Sequence, residues 1–80
     1  MKASQSDYYH WYMNSDEWRI KRLERLALDK FRCVACGRSR ALEVHHVTYK
    51  RLGHEDVRKD LCTLCRPCHE KIHNYYDRIR

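Results

Sequence analysis

Eighty residues make one small domain, too short to bury a large apolar core without a staple. Seventeen Lys and Arg against eleven Asp and Glu give a formal net charge of +6, which favours a polyanionic partner. No stretch is long and apolar enough to cross a membrane. The opening residues Met1 to Ser6 carry no apolar run of the kind a secretory signal needs, so the expected setting is a reducing, intracellular one.

Residues 1 to 7 are polar and are expected to fray. Tyr8, Tyr9, Trp11, Tyr12 and Met13 follow as an aromatic cluster, which ends at Asn14-Ser15-Asp16. Asn14 or Ser15 can cap a helix, and with Asn14 as the cap Glu17 stands at the capping-box position. Ile20, Leu23, Leu26 and Ala27 recur at helical spacing through a segment without Gly or Pro. This predicts a helix from about Ser15 to Lys30, its apolar stripe backed by the upstream aromatics. Arg19, Lys21, Arg22 and Arg25 take the remaining faces, either as solvated surface or as contacts to a nucleic-acid backbone.

The chain has five cysteines, an odd number, and four of them form two C-x-x-C pairs, Cys33/Cys36 and Cys65/Cys68. In a reduced chain such pairs read as a zinc site rather than a disulfide framework. Two residues between thiolates let the backbone close a tight knuckle, and Gly37 tolerates the positive φ that follows it. Leu42 to Val47 is β-branched and partly alternating, hence a strand. Arg58 to Leu64 offers a second, with a loop from Thr48 to Val57 turning at Gly53. Pro67 suits the first position of a closing helix. That helix carries His69 and His73 one turn apart on one face, where two imidazoles can hold a metal ion. Cys65 to His69 also fits the C-x-x-C-H pattern of c-type haem attachment, but the upstream C-x-x-C supplies the matching half of a zinc site. Cys62, the odd cysteine, is expected to be a buried, inert thiol that binds neither metal. The expected class is α+β: an N-terminal helical segment over residues 1–32 and a zinc-stapled core over 33–80, together one domain.

Glu43-Val44-His45-His46, the run Asp60 to Cys65, and Cys68-His69 through His73 resemble, in that order, the HNH endonucleases. These are nucleases built on a ββα-metal finger, and the paired C-x-x-C motifs resemble their zinc-stapled branch. The resemblance covers residues 15 to 76 or so. It implies His46 as general base and His45, His69 and His73 as ligands to a catalytic divalent metal, whether Mg²⁺, Mn²⁺, Ni²⁺ or Zn²⁺. It implies Cys33, Cys36, Cys65 and Cys68 as ligands to a structural Zn²⁺. Asp60 falls where the family has its middle Asn. As a carboxylate it can accept the hydrogen bonds that tie down a loop, but it cannot donate as an amide does.

The implied activity is metal-dependent hydrolysis of phosphodiester bonds in double-stranded DNA. A chain this small has little surface with which to read sequence, so low specificity is expected. Lys50 and Arg51 are candidate phosphate contacts, and Glu43, Glu55 and Glu70 are unranked candidates to support the histidines. Related proteins of this compact, zinc-stapled kind often come from bacteriophages, where some act beside the DNA-packaging motor. That extends the expectation to terminase partners and to the cytoplasm of a bacterial or phage-infected cell. The alternative is a non-catalytic zinc-knuckle module that binds nucleic acid or protein. Such a module needs the four thiolates but has no use for His45, His46, His69 and His73 together. Adjacent His45 and His46 point to opposite faces of a regular strand, so both reach one site only where the strand ends or bulges.

Overall fold

A two-stranded antiparallel sheet organises the chain, with helical segments from both ends packed against it. The structure, a computed structural model, describes the backbone of residues 5–79 and the side chains of residues 7–72. Along the described residues the order is α1 (Gln5–Met13), α2 (Asp16–Leu28), β1 (Leu42–His46), α3 (Val57–Asp60), β2 (Leu61–Cys65) and α4 (Arg66–Ile79). The class is therefore α+β. In the sheet Leu42 faces Cys65, Val44 faces Thr63 and His46 faces Leu61. Directly opposed residues share a face, so Val44 and His46 lie on one side with Leu61, and Glu43 and His45 on the other with Cys62 and Leu64.

The aromatic cluster before Asn14 is itself a helix, α1, which sets Tyr8 and Tyr12 one turn apart with rings stacked at 6.1 Å. Ser15, rather than Asn14, caps α2. Its hydroxyl accepts the Trp18 N–H at 3.2 Å and donates to the Tyr12 carbonyl at 2.6 Å, which places Glu17 in the first turn instead of the capping-box position. The apolar stripe of α2 also differs from the expected one. Trp18 and Leu26 are buried, while Ile20 is 65% and Leu23 51% exposed.

Lys21 and Arg25, expected among the solvated or backbone-contacting cations, turn inward between the two buried residues because each meets an acceptor there. The Lys21 ammonium donates to Glu55 at 3.0 Å and to the Gly53 carbonyl at 3.1 Å. The Arg25 guanidinium grips Asp29 through Nε (2.9 Å) and a second N–H, and reaches the Val57 carbonyl at 3.1 Å. Asp29 in turn accepts the Thr63 N–H at 3.0 Å, and the Thr63 carbonyl accepts Val34 N–H at 3.0 Å. The outer edge of β2 is thereby covered. The helix has been rotated by its charges, since leaving Glu55 and Asp29 buried without cations would cost more than exposing two aliphatic side chains.

The expected second strand from Arg58 begins later. Asp56 Oδ1 accepts the Arg58 and Lys59 N–H groups at 2.9 and 3.3 Å and caps a single helical turn, so Arg58 to Asp60 belong to α3 and β2 opens at Leu61. Two small clusters form the core. Tyr12, Trp18 and Leu61 pack with Val44, Leu52 and Val57 under the N-terminal helices. Cys33, Leu64 and Cys65 pack with Leu42, Cys68 and Ile72 at the cysteine end. Gly53 provides the expected turn at φ +92°, and a Cβ there would lie 2.2 Å from the Tyr8 hydroxyl, so the loop is pressed against α1.

The two kinds of ion pair on α2 should separate on mutation. Asp29→Ala, which strands Arg25 and the Thr63 N–H, is expected to cost about 3 kcal/mol. Arg19→Ala, which breaks an exposed pair with Asp16, should change stability by less than about 0.5 kcal/mol. Urea unfolding of the zinc-loaded protein measures both, and equal effects would contradict the inward-facing role of Arg25.

Candidate functional site

The first constellation lies at the cysteine end of the sheet. Cys33 and Cys36 come from the knuckle after α2, Cys65 ends β2 and Cys68 sits in the first turn of α4. Their sulfur atoms all lie within 4.8 Å of one another. Tetrahedral zinc with Zn–S bonds of ~2.3 Å needs sulfurs ~3.8 Å apart, and Cys36 and Cys65 stand at 3.6 Å. Gly37 closes the knuckle at φ +81°, and the Gly37 N–H donates to the Cys33 carbonyl at 2.8 Å. Burial pushes the Cys33 thiol up, but N–H donors from Cys65, Cys36 and Ala35 outweigh it and hold the thiol below its usual range. Cys68 is pushed up, first by its contact with the Cys65 sulfur and then by burial. Four thiols so close cannot all ionise together without a cation, and this donor set can hold a zinc ion. Cys62 stands apart from the cluster. It is half-buried rather than buried as expected, and burial pushes its thiol up.

The second constellation lies on the face of the sheet covered by α4. The His45 ring from β1 meets the His69 ring from α4 edge to face, centroids 4.9 Å apart. Glu43, two residues before His45 and therefore on the same face, places a carboxylate oxygen 2.9 Å from His69 Nδ1. With the carboxylate accepting, Nδ1 donates and Nε2 carries the lone pair, which is the arrangement that prepares an imidazole to bind a metal. The α4 backbone carries His73 one turn beyond His69; its side chain lies outside the described residues.

The third lies on the opposite face. His46, only 5% exposed, sits between the rings of Trp18 (centroids 4.7 Å apart) and Tyr49 (4.9 Å), both nearly parallel to its own. Its Nε2 is 2.7 Å from Glu55 Oε2. The other carboxylate oxygen of Glu55 accepts the Tyr12 hydroxyl at 2.6 Å and the Lys21 ammonium at 3.0 Å. Burial alone would raise the Glu55 carboxyl, but these hydrogen bonds outweigh it and bring it down to about 2.

Asp60 is buried beneath the same loop. It accepts from Arg51 Nε at 2.7 Å and from the Asp56 N–H at 2.9 Å, while its carbonyl takes the Val47 N–H at 2.8 Å. Hydrogen bonding from Arg51, first, and from Asp56 holds its carboxyl at about 2. Asp60 thus ties together both ends of the loop that follows His46. The Arg51 fork closes on Asp60, and Lys50 stands exposed beside it.

The structure brings His45 and His69 together, holds His46 on the other face, and gathers the four paired cysteines. Of the three glutamates left unranked by the sequence, Glu43 serves His69 and Glu55 serves His46, while Glu70 is exposed. Trp18 and Tyr49, which stack on His46, and Tyr12 and Lys21, which hold its partner Glu55, were missed in the sequence. Their only sequence signal is the Gly53-His54-Glu55 run, whose turn hands a glutamate back toward the strand.

A sheet of two strands followed by a helix, with histidines from strand and helix meeting beside a four-cysteine cluster, defines a zinc-type ββα-metal finger. Comparison with known protein families matches residues 33–75, more than half of the chain, to HNH endonuclease. The chain therefore belongs to the HNH endonuclease family, whose domains act on DNA. No curated protein and no solved structure shows significant similarity to it. No helix among the described residues is long and apolar enough to cross a membrane.

The Glu55 network has a pH signature. The folded chain keeps Glu55 ionised down to about pH 2, whereas an unperturbed carboxyl takes up its proton near 4.5. As pH falls the unfolded state binds that proton first, so the contribution is complete above about 4.5 and is lost below it. The stability advantage of wild type over Glu55→Gln should shrink by up to roughly 1.4 kcal/mol per unit as pH falls below about 4.5. Urea titrations from neutral pH downward measure it, and a difference independent of pH would contradict the network.

Proposed function

We propose that the protein is a metal-dependent DNA endonuclease that hydrolyses phosphodiester bonds with low sequence specificity. The observation that carries this is the meeting of His45 and His69, with Glu43 on His69 Nδ1, at the strand end where His46 is held by Glu55. His45, His69 and His73 are the ligands for a divalent ion, which supplies charge neutralisation at the phosphate and the leaving oxygen when bound. Glu43 orients His69 for that role. His46 takes the proton of the attacking water: with Nε2 donating to Glu55, Nδ1 holds the lone pair that a general base needs. His46 is the last residue of β1, so a phosphate at the strand's end meets the metal ligands from one face and the base from the other. Asp60 and Arg51 act through the loop they close, and Lys50 is the cation open to a phosphate.

The four-cysteine site has no position for substrate and is structural. Residues 1–80 form one domain, in which the helical segment 1–32 completes the 33–80 core. Double-stranded DNA is the substrate. The phage setting, terminase partners and an infected-cell cytoplasm rest on the family resemblance alone.

Two outcomes test this reading. Plasmid cleavage should vanish after EDTA treatment that spares the structural zinc and return with Mn²⁺, Ni²⁺ or Mg²⁺. His46→Ala should then lose on the order of 10²- to 10⁴-fold in rate at unchanged metal dependence, whereas His69→Ala should need more metal and recover in part at high Mn²⁺. Rescue of His46→Ala by metal, with normal metal dependence in His69→Ala, would reverse the assignment, and no cleavage with any metal would leave only a binding module. Separately, the purified chain should contain one zinc per molecule. Cys68→Ser should lose it and with it the cooperative unfolding transition, since structural zinc can supply on the order of 10 kcal/mol to such domains. A zinc-free chain that melts normally would contradict the structural site.

A further inference from the structure

The Glu55 carboxylate is divided between two tasks. Its side chain is fully buried. Oε1 faces the N-terminal helices, accepting Tyr12 and Lys21, and Oε2 faces His46. A carboxylate placed only to neutralise Lys21 would have no reason to present its second oxygen to an imidazole at 2.7 Å. The loop that delivers it is clamped at the preceding turn as well, where Lys21 donates to the Gly53 carbonyl and the Tyr8 hydroxyl leaves no room for a Cβ on Gly53.

We propose that Glu55 is the positioning residue for His46. By accepting from Nε2 it fixes both the ring's orientation and its tautomer, leaving Nδ1 as the basic nitrogen, and α1 and α2 hold Glu55 in place through Tyr12 and Lys21. This rests on His46 being the general base. Trp18 and Tyr49 restrain the ring's plane by stacking but cannot select between its nitrogens, because an aromatic face offers no acceptor in that plane. Only Glu55 does so. Tyr12 and Lys21 lie outside residues 33–75, so the helices before the family-matching core become part of the site rather than an ornament on it.

The test compares zinc-loaded wild type, Glu55→Gln, Tyr12→Phe and, as a control on the exposed side of α2, Glu24→Gln. Single-turnover cleavage and DNA affinity are measured at saturating metal, and ¹⁵N spectroscopy of the histidines is recorded where the rings are neutral. Wild-type His46 should show the Nε2–H tautomer. Glu55→Gln should lose at least ~10-fold in rate at saturating DNA, toward the ~10⁴-fold seen elsewhere when a carboxylate-to-amide change presents the wrong tautomer. Its DNA affinity should stay within about two-fold, and the tautomer preference should weaken. Tyr12→Phe should lose less in the same direction, and Glu24→Gln nothing. Should Glu55→Gln fail to fold, the wild-type tautomer and Tyr12→Phe still decide. An Nδ1–H tautomer in wild type would overturn the proposal. So would an undiminished rate in Glu55→Gln when His46→Ala has lost it, or a loss of rate and DNA affinity together. Full activity in His46→Ala would instead overturn the role of His46 itself, and the proposal with it; the tautomer measurement, which needs no catalysis, tells the two failures apart.

Discussion

Side chains alternate along a β-strand, and in this molecule the alternation falls between His45 and His46. The strand ends at His46, and the two histidines are held on opposite faces at the same end of a two-stranded sheet. Each face then recruits its own partners. Toward α4, Glu43 and His45 meet His69. Toward α1 and α2, His46 enters a slot between Trp18 and Tyr49 and ends on Glu55. A slip of one residue in the register would exchange the faces and leave both sets without partners.

Holding that register is difficult for a sheet of two five-residue strands, which has little stability of its own. The chain reinforces it from three directions. The cysteine cluster joins the knuckle after α2 to the junction of β2 with α4. Asp60 closes the loop between the strands, with Arg51 and Asp56 on its carboxylate and Val47 on its carbonyl. Arg25 and Asp29 fasten α2 along the outer edge of β2. Two of these three devices are ion pairs, Arg25–Asp29 largely buried and Arg51–Asp60 with its carboxylate buried but its guanidinium half exposed. Such pairs contribute less net stability than their Coulomb attraction suggests, but losing one partner is costly. Their effect here is to specify one arrangement, and that arrangement is the one the histidines need.

Much of this was legible in the sequence, and the reasons for the rest are physical. The C-x-x-C pairs, the strand from Leu42, which ends at His46 one residue short of the expected Val47, and the closing helix, which opens at Arg66 with Pro67 second rather than first, depend on local chemistry that spacing displays directly. The facing of α2 does not. Hydrophobic periodicity reads Ile20 and Leu23 as inward, yet the inward residues are Trp18, Lys21, Arg25 and Leu26, because, beside the local Arg25–Asp29 pair, acceptors for the two cations arrive from elsewhere in the chain: Glu55 lies 34 residues after Lys21, and the Val57 carbonyl 32 after Arg25. Asp56, a capping side chain inside what reads as a strand approach, turned Arg58 to Asp60 into a helical turn. Glu55 was visible only as one of three glutamates near histidines. Nothing short of the loop's path could pair it with His46, because the pairing depends on how the turn at Gly53 seats against Tyr8.

The division of the two histidines is open to direct observation by anomalous diffraction from crystals of the zinc-loaded protein soaked in Mn²⁺. One strong zinc peak should lie among the four cysteine sulfurs. A separate manganese peak should lie against His45 and His69 on the α4 face, with His46 Nε2 still on Glu55. Manganese bound to His46, with His45 and His69 empty, would contradict the account, because the sheet would then be presenting the metal on the face assigned to the base.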